Sequence, residues 1–357
     1  MPAALAGLTV IDLTSFVPGP YASMLLADLG ARVIQVEPPG GDPSRSLPYR
    51  RGDDSALHAW IGRGKSSLVL DLKTTADRDR LFELVAVADI VIEGFAPGAA
   101  HRLGVDYEAC QRVNPRIIYC SIAAVGDSAE SVGVPGHDLD SVARAGVLDQ
   151  LRDAAGSVIS AGPLFGDISA GLHAAVGILA AVHYRERTGI GQRVGVSLLG
   201  GALAMAAPQL VKALAGAVPE PGKDLNLGGD PAYRAYRARD GRWFVLAGLE
   251  TRFWEKVCRL LGRDELIELR QSDPSRVARE LENLFATQDR DAWAALLEHE
   301  GVCFGPVNPL SEVAADARIV ESGLLADSRL NSPIHLSATP PDSSRPAPSL
   351  DERLEET

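Results

Sequence analysis

Two side chains able to exchange protons with a substrate stand thirty residues apart in mid-chain, His137 and Asp167. Imidazole and carboxylate have ordinary pKa values of about 6.5 and about 3.9. At a weakly acidic carbon one can accept a proton while the other supplies one. His137 lies in Gly136-His137-Asp138-Leu139-Asp140, and Asp167 in Gly166-Asp167-Ile168-Ser169-Ala170-Gly171. Each also has a plainer reading. Asp167 stands where an N-cap or first-turn carboxylate would satisfy an unpaired N–H, and a lone histidine is commonly structural. Asp138 and Asp140 either orient the imidazole or lie at the surface.

The elements that must hold these residues can be read from periodicity. From 168 to 187 the chain repeats small apolar residues at helical spacing, gathers its charges in Arg185-Glu186-Arg187 and stops at Thr188-Gly189, which predicts a buried helix. Before it, apolar runs at 8–13, 33–36, 68–72, 90–92 and 117–122 alternate with helical stretches at 21–29 and 77–86. That rhythm implies an α/β fold, a Rossmann-like parallel sheet with helices on its faces. A further strand is expected at 193–197. One long helix is expected at 198–214, better suited to a protein core than to a membrane because the apolar run contains Gln209 and Lys212. The Pro- and Gly-rich stretch 217–231 then reads as a linker. Beyond it come a hairpin (233–236 and 243–246, turning at 239–241) and helices near 251–261, 275–286 and 291–300, a smaller α+β domain. The expected organisation is a large domain over 1–215 with 321–357 returning to it, a linker at 216–230 and a small domain over 231–320.

The chain has 357 residues, 35 basic and 47 acidic, for a net charge of −12. This balance argues against a general nucleic-acid or anionic-membrane surface. An anionic ligand needs a local basic patch, for which Arg63, Lys65, Lys73 and Arg102 are candidates, with a solvated surface as the alternative for each. Cys110, Cys120, Cys258 and Cys303 are scattered, without metal spacing. They read as free thiols of a reducing compartment, and with no evident signal peptide a cytoplasmic location is expected. Glu37 closes the second strand, where dinucleotide folds often carry a ribose-binding acid. The turn Val17-Pro18-Gly19-Pro20 lacks the glycines of G-x-G-x-x-G, which leaves a nicotinamide enzyme a weak alternative.

The text around these residues resembles the family III CoA-transferases, the CaiB/BaiF superfamily, and within it the α-methylacyl-CoA racemase branch. The likeness runs from Leu5-Ala6-Gly7 through Pro18-Gly19-Pro20 and Leu26-Ala27-Asp28-Leu29-Gly30-Ala31. It continues through the stretch 62–73, Glu93-Gly94-Phe95, Gly136-His137-Asp138, Gly166-Asp167, the stretch 301–307 and Asn331-Ser332-Pro333-Ile334. Racemases of this family show Gly-His-Asp followed by a helix-opening Gly-Asp, whereas its transferases keep the aspartate and usually replace the histidine.

The resemblance implies an interlocked homodimer, an acyl-CoA thioester as substrate and no permanently bound cofactor or metal. It implies His137, Asp167 and Glu250 as catalytic residues, with Glu250 acting across the dimer. As CoA contacts it implies Leu70, Asp71, Leu72, Lys73, Glu93, Gly94, Phe95, Arg102, Gly136, Asp138, Leu139, Asp140 and Ser141. Pro38 and Ala96 stand where many relatives carry a CoA-contacting arginine. The implied chemistry is racemisation at the carbon beside a thioester. The competing reading is CoA transfer with Asp167 as nucleophile, in which His137 is idle.

Overall fold

The computed structural model describes residues 2–51, 54–126, 135–153 and 155–352. The chain divides into two compact units, one of residues 1–148, 160–207 and 320–357, the other of 149–159 and 208–319. Sequence texture changes most visibly near 217–231. The compact units instead change at 207–208, and they assign 149–159 to the second unit.

The first unit is built on six parallel strands: β1 (Thr9–Leu13), β2 (Arg32–Glu37), β3 (Ser66–Val69), β4 (Ile90–Glu93), β5 (Ile118–Ala123) and β6 (Arg193–Ser197). Their order across the sheet is β3-β2-β1-β4-β5-β6, that of the doubly wound dinucleotide-binding fold. The interior strands are apolar on both faces, as burial beneath two helical layers requires. Val10, Val33, Ile90 and Ile118 pack on one face and Ile11, Ile34, Val91 and Tyr119 on the other.

Helix α1 (Pro18–Asp28) follows β1, α2 (Thr75–Val87) follows β3, and α3 (Asp138–Arg144) and α4 (Phe165–Thr188) lie between β5 and β6. Helix α4 is long and apolar enough by length and composition to cross a membrane. Here its Ala170, Ala174, Ile178 and Ala181 enter the same core as Val10, Ala22 and Leu26. Small residues allow this approach. A Cβ on Gly171 would stand 2.6 Å from the Pro18 carbonyl oxygen, so α4 rests directly on the start of α1.

The single helix expected at 198–214 is two, α5 (Leu198–Met205) and α6 (Ala207–Leu214). Pro208 is the physical cause: in a continuous helix its ring would meet the carbonyl of Ala204, and it has no N–H to donate. Leu198, Gly201 and Ala202 are buried, whereas no residue of α6 is.

In the second unit β7 (Tyr233–Arg237) and β8 (Trp243–Ala247) form the expected hairpin. A third strand, β9 (Phe304–Pro306), adds antiparallel to β8. Tyr236, Phe244, Phe285, Trp293 and Phe304 form its core, with edge-to-face ring contacts at Phe285. The helices expected here are α7 (Thr251–Leu260), α9 (Pro274–Phe285) and α10 (Arg290–Leu297), with α8 (Leu266–Ser272) not anticipated.

Two basic candidates for an anionic ligand, and the acid in the ribose position, are structural. Arg63 is buried and grips Asp28 at 2.9 Å and 2.5 Å, while donating to the carbonyl of Leu330 at 2.6 Å. Asp28 ends α1, where a carboxylate is disfavoured by the helix dipole, so Arg63 and the Ser343 hydroxyl offset that cost. Lys65 is buried against Asp12 and the Pro20 carbonyl. Glu37, in the position of a ribose-binding acid, is sequestered by Arg45, Ser67 and the N–H of Asp42. Formal charge carries no information about depth, so neither a ligand nor a solvated surface, the two alternatives for Arg63 and Lys65, describes their buried pairing.

Arg63→Met should leave Asp28 buried without its countercharge and cost about 3–5 kcal/mol in urea unfolding. The double change Asp28→Asn with Arg63→Met should recover most of that. Equal stability of Arg63→Met and the parent would show that the pair is not holding the C-terminal return in place.

Candidate active site

A cavity of about 390 Å³ opens at the carboxyl ends of β1, β4, β5 and β6. Ligands of open α/β sheets bind in the crevice where the strand order reverses, here between β1 and β4. Its walls are the β1–α1 loop (Thr14, Ser15, Phe16, Pro18, Gly19), the segment after β4 (Gly94 to Pro97), the end of β5, Pro135 to His137, Asp167 and Leu198. The first turns of α1, α4 and α5 thus all face one space, and helix N-termini carry partial positive charge.

His137 is the exposed N-cap of α3, and Asp167 is the third residue of α4. Asp167 is in the first turn and is not the N-cap, a position taken by Leu164. Asp138 joins the two segments: its Oδ1 accepts the backbone N–H of Asp167 at 3.0 Å. A Cβ on Gly166 would lie 3.1 Å from that oxygen and 3.3 Å from the Leu198 carbonyl oxygen. Glycine is therefore what lets α3, α4 and α5 meet there. Gly201 does the same on α5, where a Cβ would stand 2.8 Å from the Ala170 nitrogen.

Burial first, and the neighbouring Asp138 charge second, raise the Asp167 carboxyl from 3.8 to about 6, with His137 acting to lower it. Low polarity and a nearby like charge both disfavour the carboxylate. Asp140 accepts the backbone N–H of His137 at 2.6 Å. Both carboxylates proposed to orient the imidazole thus take backbone N–H groups and position the chain on which the imidazole stands.

The other expected residues divide. Gly94, Phe95 and Gly136 line the cavity. Glu93 and Phe95 line an adjoining one of about 290 Å³, together with Tyr107, Tyr119 and Arg193. Leu70 is buried, packing in one cluster with Leu72 and Phe95. Asp71 accepts the Lys73 N–H at 3.1 Å. Lys73 and Arg102 are exposed, and among the described residues lining these two cavities neither is present. Leu139 is exposed and Ser141 buried in α3, and neither lines the cavity. Glu250 belongs to the second unit, as the exposed N-cap of α7.

Thr14, Phe16 and Arg193 were not anticipated as lining residues. Phe16 holds a left-handed φ of 63°, a conformation that non-glycine residues keep only where their surroundings enforce it. Nothing in its local sequence signals this.

With this cavity at the switch point of a doubly wound sheet, the molecule is an α/β protein of the doubly wound class. It belongs to CoA-transferase family III, whose model matches residues 5–353. Succinyl-CoA:mesaconate CoA-transferase of Haloarcula hispanica is 35% identical over 379 residues, covering 99% of this chain and 95% of its own. Alpha-methylacyl-CoA racemase of Homo sapiens is 33% identical over 316 residues, covering 87% and 79%. The crystal structure of a CAIB/BAIF family protein from Brucella suis superposes with a TM-score of 0.86 at 30% identity, covering 99% and 97%.

Because folding raises the Asp167 pKa, the folded chain binds more protons than the unfolded one between pH 3.8 and about 6. Stability should fall as pH rises through that window. Asp167→Asn should therefore exceed the parent by on the order of 3 kcal/mol at pH 8, an advantage that disappears in acid. Parallel stability–pH curves for the two proteins would show that Asp167 ionises as an ordinary surface acid.

Proposed function

We propose that the protein is an acyl-CoA racemase or epimerase acting on 2-methyl-branched or otherwise α-substituted thioesters. His137 and Asp167 form its acid/base pair. The observation that supports this reading is that an imidazole and a carboxyl with a raised pKa line one cavity. One group removes the α-proton, and the C–H electron pair passes into an enolate. The other group then delivers a proton to the opposite face. Reversal of the reaction exchanges their roles, so the pair must hold one proton between them. An Asp167 pKa of about 6 lets the carboxyl keep part of that proton near neutrality. An N–H donor aimed at the enolate oxygen contributes about 3 kcal/mol, and Gly19, in the first turn of α1, carries an N–H at the cavity wall.

A second reading has its own support: the relative from Haloarcula hispanica is named a CoA-transferase. Here the Asp167 carboxylate attacks the thioester carbonyl and CoA leaves as thiolate; the thiolate then opens the mixed anhydride at the Asp167 carbonyl, releasing the first acid and leaving an aspartyl-CoA thioester, from which a second acid takes CoA through a second anhydride. That route gives His137 no task. The two readings share Asp167 and the cavity, and they part at the imidazole.

In deuterated water, one epimer of a 2-methylacyl-CoA should gain label at the α-carbon as it inverts. His137→Ala and Asp167→Ala should each slow inversion by about a hundredfold or more. Full CoA transfer by His137→Ala, together with a hydroxylamine-trapped Asp167 hydroxamate seen by mass, would replace racemisation with transfer.

This reading keeps Lys73 and Arg102 as exposed partners for the CoA phosphates. Lys73→Ala and Arg102→Ala should weaken CoA binding in calorimetry and leave the unfolding midpoint where it was. Parental affinity in both variants would remove them from the site.

A further inference from the structure

We propose that the buried ion pair between Asp12 and Lys65 is a positioning device for the reaction, fixing the β1–α1 wall of the cavity without touching substrate. The proposal rests on the reading of that cavity as the active site.

Both side chains are fully buried, with Lys65 Nζ 3.1 Å from Asp12 Oδ2. Asp12 lies in β1, and Lys65 immediately precedes β3, two strands away across the sheet. Between them they hold both ends of one loop. Asp12 Oδ1 accepts the N–H of Thr14 at 3.0 Å and its hydroxyl at 2.5 Å. Asp12 Oδ2 accepts the hydroxyl of Ser23, inside α1, at 2.5 Å. Lys65 Nζ donates to the carbonyl of Pro20 at 3.0 Å. The residues enclosed by these anchors, Thr14 to Gly19, supply five members of the cavity wall.

Two further features show how closely that loop is held. Phe16 keeps its left-handed backbone, and a Cβ on Gly19 would fall 2.2 Å from the Thr14 hydroxyl. The Thr14 side chain therefore lies against the bare backbone of residue 19, in the first turn of α1. A buried ion pair is a poor source of net stability, because desolvation cancels most of its attraction. Its useful property is direction: one carboxylate and one ammonium set four hydrogen bonds at fixed angles. An apolar pair of the same volume would fill the space and leave the loop free to shift. Positional errors of about 1 Å at a reacting centre cost on the order of a hundredfold in rate.

The test is the double variant Asp12→Asn with Lys65→Met, which removes both charges together and leaves no unpaired ion. Its unfolding midpoint should stay near that of the parent. Amide hydrogen exchange should accelerate at residues 14–19 and stay slow in the rest of β1 and α1. Turnover should lose about ten- to a hundredfold in kcat, with the CoA dissociation constant unchanged.

Parental kcat and parental exchange at 14–19 would overturn the proposal. If the double variant does not fold, Ser23→Ala removes a single donor to Asp12 outside the cavity. It should give the same pattern at smaller amplitude, and parental behaviour there would overturn the proposal equally. Asp167→Asn serves as the control, and activity is read as whichever of α-proton exchange or CoA transfer the parent performs. Full activity in Asp167→Asn would remove the active-site reading itself. An inactive Asp167→Asn beside a fully active double variant would remove only the role of the pair.

Discussion

The hydrogen bond from the backbone N–H of Asp167 to the carboxylate of Asp138 joins the two segments that carry the site. It satisfies one of the unpaired donors of the first turn of α4. It also places a negative charge beside the Asp167 carboxyl, which together with burial raises that group to about 6. A capping interaction and an acid with a shifted pKa are therefore the same contact. The rest of the large unit serves it. Gly166 admits the Asp138 oxygen, Gly171 admits the start of α1, and Gly201 brings α5 onto α4. A side chain at Gly171 or Gly201 would push apart the helix starts that face the cavity, and one at Gly166 would crowd the Asp138 oxygen.

The parallel sheet was legible because its strands are apolar on both faces and its helices end on glycine or polar stops. The strand at 193–197 was located to the residue, and most other strand ends fell within a residue or two. The break between α5 and α6 is masked by the continuous apolar content of 198–214, and Pro208 is its one local signal. Strand β9 falls within the family-like run 301–307 but is too short for periodicity to assign; its pairing with β8 depends on a sheet edge that exists only in three dimensions.

The site was legible as residue types and not as roles. His137 and Asp167 stood out as chemically able, while Asp138 and Asp140 drew attention as possible partners of the imidazole. Their carboxylates instead hold backbone N–H groups. Arg63 and Lys65 show the complementary limit. In a chain of net charge −12 the basic residues invite assignment to an anionic ligand, and these two are buried against carboxylates of β1 and α1. Sequence records a charge but not its countercharge, and a salt bridge across thirty or more positions leaves no local trace.

The frame itself is indifferent between the two chemistries of its family. A cavity at the switch point, walled by the first turns of α1, α4 and α5, favours any oxygen that becomes negative there. In racemisation that oxygen belongs to an enolate, and in transfer to the tetrahedral adduct on the way to an anhydride. Burial of Asp167 serves both, since a poorly solvated carboxylate is a stronger base and a stronger nucleophile. The discriminating element has to lie outside what the two share. Residue 137 is the candidate: it is exposed on the cavity wall as the N-cap of α3, apart from the buried Asp167. An imidazole there supplies a second proton-transfer group that transfer chemistry has no step to use. On the proposed reading the choice between isomerase and transferase rests on residue 137, while the frame around it serves either chemistry.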